Sequence, residues 1–415
     1  MAGAGDHPSA VVIGGSLGGL FAASLLQKQG WRVHVYERAA DDLAARGAGL
    51  GTHDELFEVL RRLGIDLGDA FGVRVSERLC LDAAGHVVHK RPWNNVMTHW
   101  ARLYRAMRDQ LSAAHYHSGR NFLDFSRDGE EIVARFDDGS RSRADLLIGA
   151  DGLRSTVRAR LYPDAQPRYA GYVGWRGIVE ESALPAAVRD SLGSGYYFVL
   201  PPGEMMLCYP VPGMEDKERT PQRDWNYVWY RPAAIDGELR DLCTDSAGRH
   251  HGTAIPPPLV RPELARKLKD VAAAILAPQL AAIVELSQPF FQAIFDLETP
   301  RMRAGRVILL GDAAFVARPH LGMGVTKAAL DALCLARSIE RANADLDGAL
   351  ARYDRLRSEF GRRCVRRAQR IGAYIEARAK PQAADAEEVL DQNPERILSE
   401  VGAALSDIPE LALEI

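Results

Sequence analysis

The residues near the amino end whose types and spacing carry chemistry are Gly14-Gly15-Ser16-Leu17-Gly18-Gly19, with Glu37 following further along. Glycines let a backbone turn tightly and come close to a pyrophosphate, and a helix opening there offers free N–H groups and partial positive charge. Glu37 is placed to accept from ribose hydroxyls and would repel a 2′-phosphate. Ser16 stands where the spacing G-x-G-x-x-G has its middle glycine. Its small side chain is tolerable there, and its hydroxyl can itself reach a phosphate oxygen. An ordinary tight turn between strand and helix is the alternative; the flanking strand, helix and acid together point to a bound dinucleotide.

These residues need elements to hold them. Ala10–Ile13 reads as a buried parallel strand, Leu17–Gln29 as a helix stopping at Gly30, and Arg32–Tyr36 as a second strand. Arg38 and Arg46 lie in the glycine-bearing loop that follows, and a helix is expected over Asp54–Leu63. Val73–Leu81 and His86–Lys90 read as a hairpin, Trp100–Leu111 as a helix carrying Arg102, and Glu131–Phe136 with Ala144–Ile148 as a second hairpin. From about Gln166 the composition shifts to aromatic-rich runs broken by Pro and Gly: Gly171–Val179, Tyr196–Leu200, Met205–Val211 and Tyr227–Arg231. A half-buried antiparallel sheet fits them. Helical stretches are expected at Glu263–Leu276, from Gly324 to about Glu340, at Leu346–Ala377 and near Ala384–Val401, with a buried strand at Arg306–Leu310.

Two later motifs decide what the dinucleotide is for. Ala150-Asp151-Gly152-Leu153-Arg154-Ser155-Thr156-Val157-Arg158 fits A-D-G-x-x-S-x-V-R, and Gly311-Asp312-Ala313-Ala314 closes the Arg306–Leu310 strand. Together with the first turn, and in this order, they resemble the class A flavin monooxygenases, the single-component aromatic hydroxylases. Tyr169–Gly177, Tyr209–Gly213 and Arg318-Pro319-His320 resemble the branch acting on hydroxypyridines, whereas phenol hydroxylases carry a histidine at Phe315 and a G-Q-G at Gly322-Met323-Gly324. The resemblance implies an α/β (α+β) fold like that of p-hydroxybenzoate hydroxylase. A Rossmann-like FAD-binding domain (8–168 and 290–345) would carry an inserted antiparallel-sheet substrate domain (169–289, joined by the 73–90 hairpin), with C-terminal helices over 346–415.

The resemblance also implies FAD, with NADH or NADPH as a visiting hydride donor, and O2 activated as a C4a-hydroperoxyflavin that hydroxylates a small electron-rich aromatic. A hydroxypyridine or an oxidised or methylated purine fits the branch; a simple phenol, or oxidation of a larger natural product, are the alternatives. It places Asp312 on the ribityl chain, Asp151 near the pyrophosphate and the nicotinamide approach, and Arg102 on the flavin's phosphate or ribityl portion. Pro319 leads into Gly322-Met323-Gly324, a turn opening a helix whose N–H groups and dipole suit the flavin edge where charge gathers on reduction.

Such a substrate needs a proton acceptor. His53, His320 and Tyr209 are the candidates, each with a plain alternative: a residue opening a helix, a fixed loop, and a buried structural tyrosine. Trp175, Tyr197 and Tyr227 are candidate aromatic walls, with core packing as the alternative. A net charge of −3 over 415 residues gives no field for nucleic acid. The Arg362-Arg363-Arg366-Arg367-Arg370 run reads as a solvated helix face with local ion pairs. Cys80, Cys208, Cys243, Cys334 and Cys364 lack metal-binding spacing and read as reduced, buried thiols. Val271–Leu286 is too polar for a membrane span, and Met1–Ser9 is too poor in apolar residues for a secretion signal. A cytoplasmic monomer or homodimer is the expectation.

Overall fold

The computed structural model describes residues 7–411 except 47, 66, 67, 69, 70, 214–222 and 380–391. Its first unit is built on a sheet ordered Arg303–Ala304, Val307–Leu309, Leu146–Gly149, Ser9–Ile13, Arg32–Tyr36 and Tyr116–His117. All neighbours but the first pair run parallel. Helix Leu17–Lys28 crosses between the second-innermost pair of strands, and Gly30 takes a left-handed φ of +84° to turn the chain back. Helix Gly324–Arg341 packs beside it.

The second expected hairpin divides. Glu131–Phe136 pairs with Phe122–Asp128 and with Arg141–Ala144 in a small three-stranded sheet. Leu146–Gly149 continues instead into the parallel sheet, beside Ser9–Ile13. Ala144–Ile148 reads as one strand because Asp145 alone interrupts its apolar residues; its carboxylate accepts from the Ser9 N–H and hydroxyl and marks the join.

The large sheet has eight strands, ordered Phe290–Asp296, Arg168–Glu180, Arg223–Pro232, Met205–Pro212, Gly195–Val199, Gly72–Leu81, Val87–His99 and Gly49–Gly51. Only Gly195–Val199 against Gly72–Leu81 is parallel. The expected boundary at 290 is therefore misplaced, because Phe290–Asp296 forms an edge of this sheet. Side chains alternate between two buried faces. Trp175, Tyr197, Tyr227 and Trp229 pack against helices Pro262–Ile275 and Pro278–Leu286, while Tyr172, Tyr196, Tyr209 and Tyr230 join the core shared with the parallel-sheet unit.

The long helix Leu346–Ala379 then runs back along both units, and the segment from helix Pro394–Glu400 to Leu411 lies across it. Part of its arginine face is not solvated as expected. Arg363 pairs locally with Glu359, but Arg367 is buried and pairs with Glu400 and Glu410, which docks the terminal segment. All five cysteines are free and buried. No helix among the described residues is long and apolar enough to cross a membrane.

Candidate active site

The glycine turn is packed as tightly as its composition suggests. Gly14 has a φ of +107°, and a Cβ there would collide with the Ala150 carbonyl; a Cβ at Gly19 would collide with the Gly14 carbonyl. Glu37 accepts from the Gly15 N–H at 2.8 Å and the Ala39 N–H at 2.9 Å, which leaves further lone pairs on its two oxygens. Ser16 opens the helix without using its hydroxyl as a cap, and Leu17 is buried beneath it. Gly14, Ser16, Glu37 and Arg38 face a cavity of about 250 Å³, closed on the far side by Asp151 and Gly152 and rimmed by Arg120 and Arg154. A cradle of glycines, a free hydroxyl at a helix start, an acid and three guanidinium groups fit the adenosine diphosphate half of FAD.

Asp151 sits at this cavity, but its carboxylate turns toward its own loop. It accepts from Ser155 Oγ at 2.5 Å and from the Thr156 and Val157 N–H groups, capping helix Thr156–Leu161. Burial raises its pKa against those hydrogen bonds. The motif's last residue joins the two later motifs: buried Arg158 donates to the Leu153 and Ala313 carbonyls.

Gly311 takes a φ of +64° and donates to Asp331 Oδ2 at 3.0 Å. Asp331 is braced by Arg357 at 2.7 Å and Lys327 at 3.5 Å. The next residue, Asp312, lies deep in the molecule with an exposed side chain. Enclosure pushes its pKa up, and Lys327 pulls it back. An open carboxylate on a fixed turn fits a ribityl chain. Pro319–Leu321 then forms one helical turn, Gly322 reverses the chain with a φ of +64°, and Met323 precedes helix Gly324–Arg341.

His53 lies against this turn. A Cβ on Gly322 would sit 3.9 Å from the His53 ring, and His53 Nδ1 is 3.1 Å from Thr326 Oγ1. Its Nε2 is buried. Burial, then the nearby Arg78 charge, lower its pKa to about 4 against a backbone contact with Ala403 that raises it, so the imidazole is neutral at pH 7. His320 is fully buried, with Nε2 2.6 Å from the Tyr172 hydroxyl and its ring centroid 4.6 Å from that of Tyr230. Its pKa falls to about 3, through burial first and Arg318 second. Arg318 is held by Asp296 and Glu376, so the Arg318–His320 turn is clamped to the large sheet and the long helix.

The structure thus brings His53, His320, Tyr209 and the Gly322–Gly324 turn to one side of the large sheet. One expectation falls elsewhere. Trp175, Tyr197 and Tyr227 point to the opposite face, because each is one residue out of phase with Tyr172, Tyr196 or Tyr209. Arg102 Nη2 donates to the Gly213 carbonyl at 2.6 Å, at the end of a sheet strand. The Arg46 side chain lies outside the described residues.

Sequence reading did not single out Arg78, Arg176, Tyr196 and Tyr230, all on the side of the large sheet that faces the parallel-sheet unit. Arg78 donates to the Leu398 and Gly402 carbonyls of the terminal segment and lies 3.9 Å over the Trp93 ring. The signal for Arg176 was present: counting by two from Tyr172 along an apolar strand reaches it.

The chain is similar to known proteins along most of its length. Residues 12–49 match a family described as NAD(P)-binding Rossmann-like domain, 169–296 one described as FAD binding domain-like, and 293–368 one described as FAD binding domain. The chain is 31% identical over 366 residues to 2,6-dihydroxypyridine 3-monooxygenase of Paenarthrobacter nicotinovorans, covering 88% of this chain and 91% of that protein. It is 28% identical to the FAD-dependent urate hydroxylase of Klebsiella pneumoniae, over 87% and 88% of the two chains. The structure of 2,6-dihydroxypyridine-3-hydroxylase from Arthrobacter nicotinovorans superposes with a TM-score of 0.84 at 29% identity, covering 93% of this chain and 97% of that one.

Proposed function

This chain belongs to the FAD-dependent aromatic monooxygenases, and from that premise we propose that it hydroxylates a small, electron-rich N-heterocycle, hydroxypyridine-like or an oxidised purine. NADH or NADPH serves as a visiting hydride donor in this reading. The observation that carries it is His53: a neutral, buried imidazole set against the Gly322–Gly324 turn.

FAD, when bound, would carry the electrons that activate O2, which is the source of the transferred oxygen atom. The chain's own residues divide the remaining work. Gly14, Gly15, Ser16 and Gly19 hold the diphosphate, Glu37 the adenosine ribose, and Asp312 the ribityl chain. The start of helix Gly324–Arg341 lends its positive end to the ring edge that gains electrons. His53 accepts the proton of the ring hydroxyl, which makes the substrate more electron-rich at the carbon attacked. Tyr209 hydrogen-bonds a ring substituent. His320, tied to Tyr172, positions the turn. The FAD-holding unit then comprises residues 8–168 and 297–345, and the substrate lies against the Tyr196–Tyr209–Tyr230 face of the large sheet.

The test is NADH and NADPH oxidation by the FAD-loaded protein with hydroxypyridines, hydroxynicotinates, methylated uric acids and simple phenols, read together with product mass. A ring that speeds flavin reduction and gains one oxygen atom is the expected result. Oxidation that yields only peroxide with every ring, or no response to any of them, would overturn it.

A further inference from the structure

Among the described residues, the fully buried arginines are all met by acids or carbonyls, whereas Arg176, half-buried on the Tyr172 side of the large sheet, is not. Arg318 meets Asp296 and Glu376, Arg357 meets Asp331, Arg367 meets Glu400 and Glu410, and Arg158 and Arg78 end on backbone carbonyls. Arg176 is only partly exposed, yet among the described residues it has no hydrogen bond and no carboxylate in ion-pair range. A guanidinium drawn from water without an anion is costly, so such a position calls for a partner the chain does not supply.

What surrounds Arg176 narrows that partner. It shares the strand face of Tyr172, opposite Val228 in the pairing, and Tyr230 stands opposite Gly174 one position along that face. Tyr209 lies one strand further, at 5.1 Å and edge-on to Tyr196. The hydroxyls of Tyr209 and Tyr230 have no hydrogen-bond partner among the described residues. Both feel the Arg176 charge, which opposes the rise that burial gives their pKa values. Tyr230 in turn touches His320 on the flavin-facing turn. A planar fork, two phenol donors and aromatic walls suit a flat ring bearing negative charge on an exocyclic oxygen.

We propose that Arg176, with the Tyr209 and Tyr230 hydroxyls, anchors an anionic oxygen of the aromatic substrate and so selects planar aromatic anions. Arg176 is a specificity-determining residue in this assignment, which rests on the hydroxylase reading above. The oxygen belongs either to a ring carboxylate or to a deprotonated ring hydroxyl.

Equilibrium titration of the FAD-loaded protein, followed by the flavin absorbance change, tests this without turnover. The probes are 6-hydroxynicotinate, 2,6-dihydroxypyridine and the uncharged 6-hydroxynicotinamide, each against wild type, Arg176→Met and Arg176→Lys, with FAD content confirming that each variant is folded. Loss of a charged hydrogen bond predicts roughly 10- to 100-fold weaker binding of an anion by Arg176→Met. Arg176→Lys should fall between, and the amide should change less than about twofold. A loss confined to 6-hydroxynicotinate assigns the contact to a carboxylate; a loss confined to 2,6-dihydroxypyridine, which has no carboxylate, assigns it to a deprotonated ring oxygen. Equal weakening of the amide and the anions, or unchanged anion binding, overturns the anchor while leaving the hydroxylase reading intact. Absence of any ring binding by wild type overturns both.

Discussion

Both faces of the eight-stranded sheet are aromatic, yet they are different environments. The helix-facing side stacks Trp175, Tyr197, Trp225, Tyr227 and Trp229 against two helices. Most of its polar atoms are satisfied within the fold: Trp225 Nε1 donates to Glu181, the Tyr227 and Ser287 hydroxyls pair, and Tyr197 Oη accepts from the Gly193 N–H. The opposite side carries Arg176, Tyr209 and Tyr230 with nothing to bond to among the described residues. Aromatic content therefore does not separate the two faces; unanswered hydrogen-bonding groups do, apart from Trp229 Nε1, which is buried without a partner on the helix-facing side.

That contrast predicts opposite responses to mutation. The largest effect belongs to the helix-facing side, where Trp225 is fully buried. Trp225→Ala should cost about 3–5 kcal/mol of stability through the cavity it leaves, measured by denaturant unfolding. KM and kcat of the protein that remains folded should not move; a change in KM would break the separation of the two faces.

Acid should act through buried neutral histidines: His99, whose pKa burial lowers to about 4, and, beside the Gly322 turn, His53 and His320. The folded pKa values of the last two, about 4 and about 3, lie below the ordinary histidine value. The unfolded chain therefore binds more protons as pH falls below about 6.5, and stability is lost from there down toward pH 4. For His53 alone the loss is on the order of 3 kcal/mol, at about 1.4 kcal/mol per pKa unit. Thermal unfolding between pH 7 and 4.5 should show this slope, and His53→Gln should flatten it. An unchanged slope in that variant would place the acid sensitivity elsewhere.

What was legible in the sequence follows the range of the contacts. The Gly14–Gly19 turn, Glu37 and the two later motifs are local patterns, in which a glycine's backbone freedom or an acid at a strand end is visible without the rest of the chain. The cavity gathers the glycine turn, Glu37 and the Ala150–Gly152 motif; the Gly311–Ala314 motif lies outside its lining. The substrate face is a matter of register. Tyr196 and Tyr197 are indistinguishable by type, and only the pairing of Gly195–Val199 with two neighbours decides which ring turns inward. Arg78 was invisible for another reason: its partners, Leu398 and Gly402, are more than 300 residues away.

Two smaller effects probe the flavin side. Asp312→Ala removes an open carboxylate from the Gly311 turn and should weaken FAD binding by about 100-fold, the worth of a charge-assisted contact. Full flavin occupancy after gel filtration at low protein concentration would count against its role. Tyr209→Phe should leave stability within about 0.5 kcal/mol, since no protein partner is lost. The same change should lower kcat/KM for the ring substrate about tenfold, the scale of one hydrogen bond.

The smallest effect is the mirror of that last one. Tyr197→Phe removes an acceptor for the Gly193 N–H, at 2.9 Å, on the helix-facing side. One buried hydrogen bond of this kind is worth about 1 kcal/mol, so the variant should unfold slightly earlier in urea. Its kcat/KM should equal that of wild type, because the side chain points away from Tyr196 and Tyr209. Set side by side, Tyr209→Phe and Tyr197→Phe make the same chemical change on opposite faces of one sheet. If both lowered kcat/KM equally, the distinction between a ligand face and a packing face would not hold.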